Sequence, residues 1–243
     1  MNIVIPMAGQ GSRFANAGYK TPKPFIEVNG KALIELVLGN LQFKDAKYIL
    51  LVRSEHLESQ KEIVKRIQKN YDVTFIPVNK LTEGAASTVL HAHRLINNET
   101  PLLLANSDQY IEANISDYIT DCQQRNLDGS ILTFVDKYLD PKWSFARINS
   151  DNLVVEVKEK SPISEHATVG LYYFSQGKSF VDSALDMIVA NERVNGEFYT
   201  CPVYNYAIAE GQRIGIYSIE QEHMHGLGTP EDLNEFIKKG LCP

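Results

Sequence analysis

Cysteine, tryptophan, net positive charge and long apolar runs are all scarce in this sequence of 243 residues. Its three cysteines, Cys122, Cys201 and Cys242, are odd in number and far apart. That spacing excludes a disulfide framework or a clustered zinc site and suits a reducing compartment. Lys and Arg number 24 against 30 Asp and Glu, a formal net charge of −6. A nucleic-acid partner drawn in by bulk positive charge is therefore disfavoured, and any anionic ligand has to be gripped locally. No run approaches the roughly 18 apolar residues of a membrane span. Met1 leads straight into Ile3-Val4-Ile5 with no basic and then apolar leader, so the expectation is a cytoplasmic protein without a membrane span. What is present, 44 % hydrophobic and 22 % charged residues, is ordinary for a globular chain able to bury a full core.

Short apolar runs alternate with helical patterns through the first half. Runs at 2–6, 48–52, 73–77 and 102–105 read as buried parallel strands, and 32–41, 56–69 and 85–95 read as amphipathic helices. This order predicts an α/β fold, a Rossmann-like doubly wound sheet whose ligands sit beyond the carboxyl ends of its strands. After about residue 126 the runs at 131–135, 145–148, 153–157 and 169–174 follow one another with little helix between them, which makes the mainly parallel sheet a mixed one. Helices around 178–189 and 201–210, a strand from 213 to 219, and a helix opened by Thr229-Pro230-Glu231-Asp232 complete the pattern. No repeat or Pro/Gly/Ser linker divides the chain, so residues 1–243 are read as one domain with halves at 1–125 and 126–243.

The first strand runs into Pro6-Met7-Ala8-Gly9-Gln10-Gly11-Ser12-Arg13-Phe14. Small residues there let backbone amides approach a polyphosphate, and Arg13 adds a bidentate donor. The dinucleotide fingerprint fails because Phe14 stands at its third glycine, and the P-loop fails for lack of Gly-Lys-Ser/Thr. The glycines alone fit a plain strand-to-helix turn equally well. Thr21-Pro22-Lys23-Pro24-Phe25 sets a lysine between two prolines, on a stiff backbone that aims its ammonium. Leu102-Leu103-Leu104-Ala105-Asn106-Ser107-Asp108 places a carboxylate just past a strand, where it suits Mg²⁺ bound jointly with phosphates, or else closes a turn.

Gly9-x-Gly11-Ser12-Arg13, then Pro22-Lys23-Pro24, then Gly30-Lys31-Ala32-Leu33-Ile34 resembles the amino-terminal signature of the sugar-phosphate nucleotidyltransferases, also called nucleotide-sugar pyrophosphorylases. Short members of that family often serve bacterial surface polysaccharide synthesis. The resemblance implies their nucleotide-diphospho-sugar transferase fold, with Arg13 and Lys23 as catalytic groups on the triphosphate. It implies Ala8, Gly9, Gly11 and Ser12 along the nucleotide, and Asp108 as the ligand of Mg²⁺. Asn79 and Gly84 match the family's base-reading loop, with a lean towards a pyrimidine, while Glu83 also fits a helix-start acid. In the second half, Ala146 of Phe145-Ala146-Arg147-Ile148, Glu159 and Lys160 of Glu159-Lys160-Ser161-Pro162, and Gly170 of Val169-Gly170-Leu171-Tyr172 match its sugar-phosphate positions. Gly196-Glu197-Phe198-Tyr199-Thr200 resembles a further segment before the late helix.

One departure concerns the metal. The family's second aspartate falls where Gly226 stands in His225-Gly226-Leu227-Gly228-Thr229-Pro230, and His223 and His225 read as structural. The reaction implied joins a nucleoside triphosphate to a sugar 1-phosphate and releases pyrophosphate. A cytidylyltransferase for a non-sugar phosphate such as phosphocholine, a glycosyltransferase using Asn106-x-Asp108, and a nucleotide-sugar sensor are the rivals. A homo-oligomer is compatible with the sequence.

Overall fold

A computed structural model describes residues 1–241, so Cys242 lies outside the described residues. Among these, nine strands form one sheet: β1 (Asn2–Met7), β2 (Lys47–Arg53), β3 (Val73–Val78), β4 (Leu102–Ala105), β5 (Gly129–Val135), β6 (Ser144–Ile148), β7 (Val154–Glu159), β8 (His166–Phe174) and β9 (Ile214–Ile219). β1 pairs in parallel with β2 and β4, and β2 with β3. β8 runs antiparallel to β4 and β5, and β9 lies parallel to β5. Most strands thus point one way and only β7 and β8 run back, giving the mixed, mainly parallel doubly wound sheet that the pattern predicts.

Apolar residues of β1 divide between the two faces. Ile3, Ile5 and Met7 join one core while Val4 joins the other, which is why the strand reads as a continuous apolar run rather than an alternation. The second core contains Phe174 and Tyr204 stacked at 4.5 Å. Cys122 and Cys201 are buried and unpaired, and burial pushes the Cys122 thiol up to about 12.

Two features of this architecture build the crevice. β8 projects past the end of β4: its residues 171–174 pair with β4, while Ala167 pairs with Phe145 of β6. The β6–β7 hairpin is thereby hung beyond the end of β4, and its register sets Glu159 opposite Ser144. The Asn205 side chain reinforces that edge by bonding both the Val157 amide (2.8 Å) and the Val157 carbonyl (3.0 Å). The second feature is a small core of Phe14, Ile26, Val28, Leu33, Leu36, Leu227, Leu233 and Phe236, which packs the helix Pro230–Lys238 beneath the glycine loop. Its start follows the expected grammar, with Pro230 at the first position and the Thr229 hydroxyl accepting from the Asp232 amide at 3.1 Å.

The helices differ from expectation in two places. The stretch expected over 56–69 is two helices, Ser54–Ser59 and Lys61–Asn70. The stretch expected over 85–95 is helical at Ala85–Val89, tightens to a 3₁₀ turn at Leu90–Ala92, and resumes at His93–Ile96. Ser87 and Thr88 hydroxyls both bond the Gly84 carbonyl, at 2.9 Å each, and such local bonds compete with the helical ladder. The ribbons Gln109–Ile111 with Met224–Gly226, and Glu27–Val28 with Lys31–Ala32, are two- or three-residue strands too short to carry a period.

Candidate active site

The glycine loop leaves β1 at its carboxyl end. Gly11 holds a left-handed backbone (φ +61°) and caps the short helix Ser12–Asn16, a conformation that glycine adopts without steric cost. A Cβ at Gly11 would touch the Lys23 Cβ at 3.4 Å, so the close approach of loop and lysine uses its lack of a side chain. Lys23 itself opens a 3₁₀ turn: Pro22 precedes it, Pro24 follows, and the Phe25 amide donates to the Pro22 carbonyl at 2.8 Å. Phe25 is fully buried and anchors the turn. From this rigid mount the Lys23 Nζ donates to Asp108 Oδ2 at 2.6 Å, across 85 residues of sequence.

Asp108 arrives from the end of β4, and the amide of Leu227 donates to its backbone carbonyl at 2.7 Å. That bond brings Gly228 beside it: a Cβ at Gly228 would lie 3.2 Å from Asp108 Oδ2 and 3.7 Å from an Arg13 guanidinium nitrogen. Gly11, Ser12, Arg13, Phe14, Lys23 and Gly228 line a cleft of about 230 Å³. Arg13, Lys23 and Asp108, far apart in sequence, therefore share one small space, and the absence of a side chain at Gly228 keeps it open.

Beyond the end of β4, Gly170 of β8 (φ +93°) stands so close to Asn106 and Gln109 that a Cβ would fall 2.2 and 2.3 Å from their amide atoms. The Asn106 amide donates to the Gly170 carbonyl at 3.2 Å. Ser144 donates to Glu159 Oε2. Burial holds the Glu159 carboxyl above the usual range, opposed by that bond. Lys160 follows with a left-handed backbone (φ +54°). Its Nζ donates to the Tyr199 hydroxyl at 2.6 Å, a bond that raises the pKa of the ammonium. Ala146 is buried in the second core.

Asn79 and Gly84 stand at the ends of a loop after β3. The Asn79 Oδ1 accepts from the Ser54 hydroxyl at 2.5 Å. Gly84, with φ +124°, lies under the backbone of Phe198, where a Cβ would meet the carbonyl oxygen at 2.4 Å. Glu83, which the sequence left between ligand and helix-start acid, pairs with Arg193 at 2.8 Å. His225 is buried and bonds Glu112 at 2.6 Å through Nε2, while packing against Tyr110 and Phe236. Among the described residues no three His, Cys, Asp or Glu side chains converge as a metal site. A Cβ at Gly226 would approach Asp232 Oδ2 at 3.6 Å. Sequence reasoning missed Ser144 and Arg193, whose partners lie 15 and 110 residues away.

A model of the nucleotidyl transferase family matches residues 3–237. The chain belongs to the nucleotidyl transferase family. Over its whole length it is 24 % identical to the bifunctional protein GlmU of Methanococcus vannielii, of which it spans 56 %. It is also 24 % identical to the UTP–glucose-1-phosphate uridylyltransferase AglF of Haloferax volcanii, covering 97 % of this chain and 94 % of that protein. The crystal structure of a nucleoside-diphosphate-sugar pyrophosphorylase from Vibrio cholerae RC9 superposes with a TM-score of 0.82 at 26 % identity, over 97 % of this chain and 99 % of that one. The chain thus has the nucleotide-diphospho-sugar transferase fold. No helix among its described residues is long and apolar enough to cross a membrane.

Proposed function

We propose that this nucleotidyltransferase joins a pyrimidine nucleoside triphosphate to a sugar 1-phosphate, giving a nucleotide sugar and pyrophosphate. The observation that carries the reading is the Lys23–Asp108 pair set beside Arg13 and Gly228, with Glu159 and Lys160 hung from the same end of the sheet by β8. In this reading residues 1–125 bind the nucleotide and residues 126–243 the sugar phosphate.

A phosphate oxygen of the sugar 1-phosphate attacks the α-phosphorus. The new P–O bond forms as the bond between the α-phosphorus and the bridging oxygen breaks, and pyrophosphate departs with that electron pair. The attacking oxygen is already anionic, so no general base is required and catalysis reduces to alignment and charge neutralisation. Arg13 and the amides from Ala8 to Ser12 hold the β- and γ-phosphates, Lys23 neutralises the α-phosphate, and Asn79 and Gly84 read the base. Glu159 accepts from sugar hydroxyls, Ala146 and Gly170 border the sugar, and Lys160 places the attacking phosphate.

The family generally uses a divalent metal, and the donor set fits Mg²⁺ in one respect. Asp108 offers a hard carboxylate at the cleft, and Mg²⁺ is commonly bound through one or two carboxylates plus substrate phosphates. Gly226 contributes no second carboxylate. When bound, the ion supplies charge neutralisation on the phosphates. The Lys23–Asp108 ion pair keeps both groups in place before the triphosphate arrives.

The names of two relatives support the choice of substrates: one is a UTP–glucose-1-phosphate uridylyltransferase and another a nucleoside-diphosphate-sugar pyrophosphorylase. We place the reaction in the cytoplasm, where nucleoside triphosphates are made. The test is pyrophosphate release over a matrix of UTP, CTP, dTTP, ATP and GTP against sugar 1-phosphates and phosphocholine, with Mg²⁺. Release with a pyrimidine triphosphate and a sugar 1-phosphate is expected. Release only with CTP and phosphocholine, or with no pair at all, overturns the reading.

A further inference from the structure

Arg193 precedes a tight turn, Val194-Asn195-Gly196-Glu197. Asn195 and Gly196 have φ of +50° and +81°, and Val194 and Glu197 exchange two backbone hydrogen bonds at 3.0 Å each. Positive φ at both central positions is what a type I′ turn demands, and Asn-Gly is its preferred pair. The guanidinium of Arg193 uses its fork fully around this turn. Nε donates to Asn191 Oδ1 at 2.7 Å, one terminal nitrogen to the Gly196 carbonyl at 3.0 Å, and the other to Glu83 at 2.8 Å. Its Cζ lies over the Phe198 ring, 4.0 Å from the centroid, a cation–aromatic contact.

Phe198 is also tied through its backbone to the nucleotide loop. Its amide donates to the Glu83 carbonyl at 2.7 Å, and its carbonyl accepts from the Ala86 amide at 3.0 Å. Gly84, between those two residues, is pressed so closely on Phe198 that no Cβ fits. The next residue, Tyr199, holds the Lys160 ammonium by its hydroxyl at 2.6 Å and by its ring at 4.6 Å. A continuous series of short contacts therefore runs from Glu83 and Gly84, through Phe198 and Tyr199, to Lys160.

We propose that Arg193 is a positioning residue that locks the base-reading loop to the segment 197–199, so that nucleotide binding at Gly84 orders Tyr199 and Lys160 for the acceptor phosphate. The inference rests on the substrate assignment above and adds to it a coupling between the two substrates. A ligand that immobilises one end of a rigid link lowers the ordering cost at the other, and the linkage is reciprocal.

Hydrogen exchange on the full chain tests the lock without requiring turnover. When UTP, CTP or dTTP binds with Mg²⁺, exchange at residues 191–200 is expected to slow about threefold or more in the wild type and to stay unchanged in nucleotide-bound Arg193→Ala. In steady state, Arg193→Ala is expected to raise KM for glucose 1-phosphate, or for whichever sugar 1-phosphate the pyrophosphate matrix identifies, about tenfold, within the usual range of couplings. Its kcat is expected to change less than threefold. Glu83→Gln changes an exposed side chain, so it serves if Arg193→Ala does not fold, and it is expected to act in the same direction. Exchange at 191–200 that ignores a bound triphosphate, or an acceptor KM at the wild-type value in both variants, overturns the coupling. Failure of every triphosphate to bind overturns the nucleotidyl-transfer reading itself, and the coupling with it.

Discussion

Lys23 and Lys160 are assigned to the two phosphates that react, and the protein mounts them in opposite ways. Lys23 sits between two prolines on a 3₁₀ turn with its side chain 17 % exposed, and its partner is a carboxylate. Lys160 is exposed at the end of an outer hairpin, on a left-handed backbone, and its partner is a phenol. The first lysine and Asp108 form a pair of no net charge, so Arg13 supplies the net positive charge of that cleft until the pair separates. The second keeps its full charge, because Tyr199 is neutral at physiological pH and its own pKa is raised by burial. A chain of net charge −6 thus concentrates positive charge at two points with different rigidity. The contrast predicts that damage at Lys23 is read in turnover and damage at Lys160 in affinity.

The largest effect is expected for Lys23→Ala. Its kcat should fall about 10²–10³-fold, the range for losing a group that stabilises transition-state charge, with an unchanged circular dichroism spectrum. Near-normal pyrophosphate release from this variant would remove the distinction between the two lysines. Next comes Gly84→Ala, which forces a side chain into a backbone contact at a φ of +124°. It should cost about 2–4 kcal/mol, seen as a lower denaturation midpoint, together with a higher nucleotide KM. A wild-type midpoint would show that the Phe198 segment moves aside freely. For Lys160→Ala the acceptor KM should rise about tenfold, the scale of one charge-assisted hydrogen bond, with kcat and nucleotide KM changed far less. A drop confined to kcat would make the two lysines alike.

The smallest effect is a pH dependence at Glu159. Burial raises its folded pKa above the usual 4.5, so the folded state binds the proton more tightly than the unfolded chain does. Stability therefore falls as pH rises from about 4.5 through the raised value. Glu159→Gln should flatten that part of the stability profile, measured by chemical denaturation at stepped pH. A slope as steep as the wild type's would assign the effect to another group.

The glycine loop and the Lys23 turn were legible because their features are local in the chain. Gly9 to Arg13 and Pro22 to Pro24 lie within sixteen residues, and the glycines and prolines there dictate their own backbone. The buried strands showed equally well, since a strand covered on both faces has to be apolar throughout. Strands β6 and β7 were visible as two apolar runs, but the place of their hairpin beyond β4 was not. That place depends on β8 being long enough to pair with two strands in succession. Ser144 gave no sign, because a serine ahead of an apolar run has many uses, and only the register of β6 with β7 sets it against Glu159. For Arg193, the Asn195-Gly196 pair was a readable turn signal, but the partner at Glu83 was not.

Residue order alone carries the α/β pattern, the stiff mount of Lys23 and the family signature, because each is a property of neighbouring residues and of backbone limits that need no distant partner. Tertiary structure decided which charges meet. It paired Lys23 with Asp108 across 85 positions and Arg193 with Glu83 across 110, opened the cleft at Gly228, and pressed the Phe198 backbone against Gly84. Such meetings are set by sheet order and by the packing of elements far apart in the chain, through contacts of a few ångströms that no local spacing encodes.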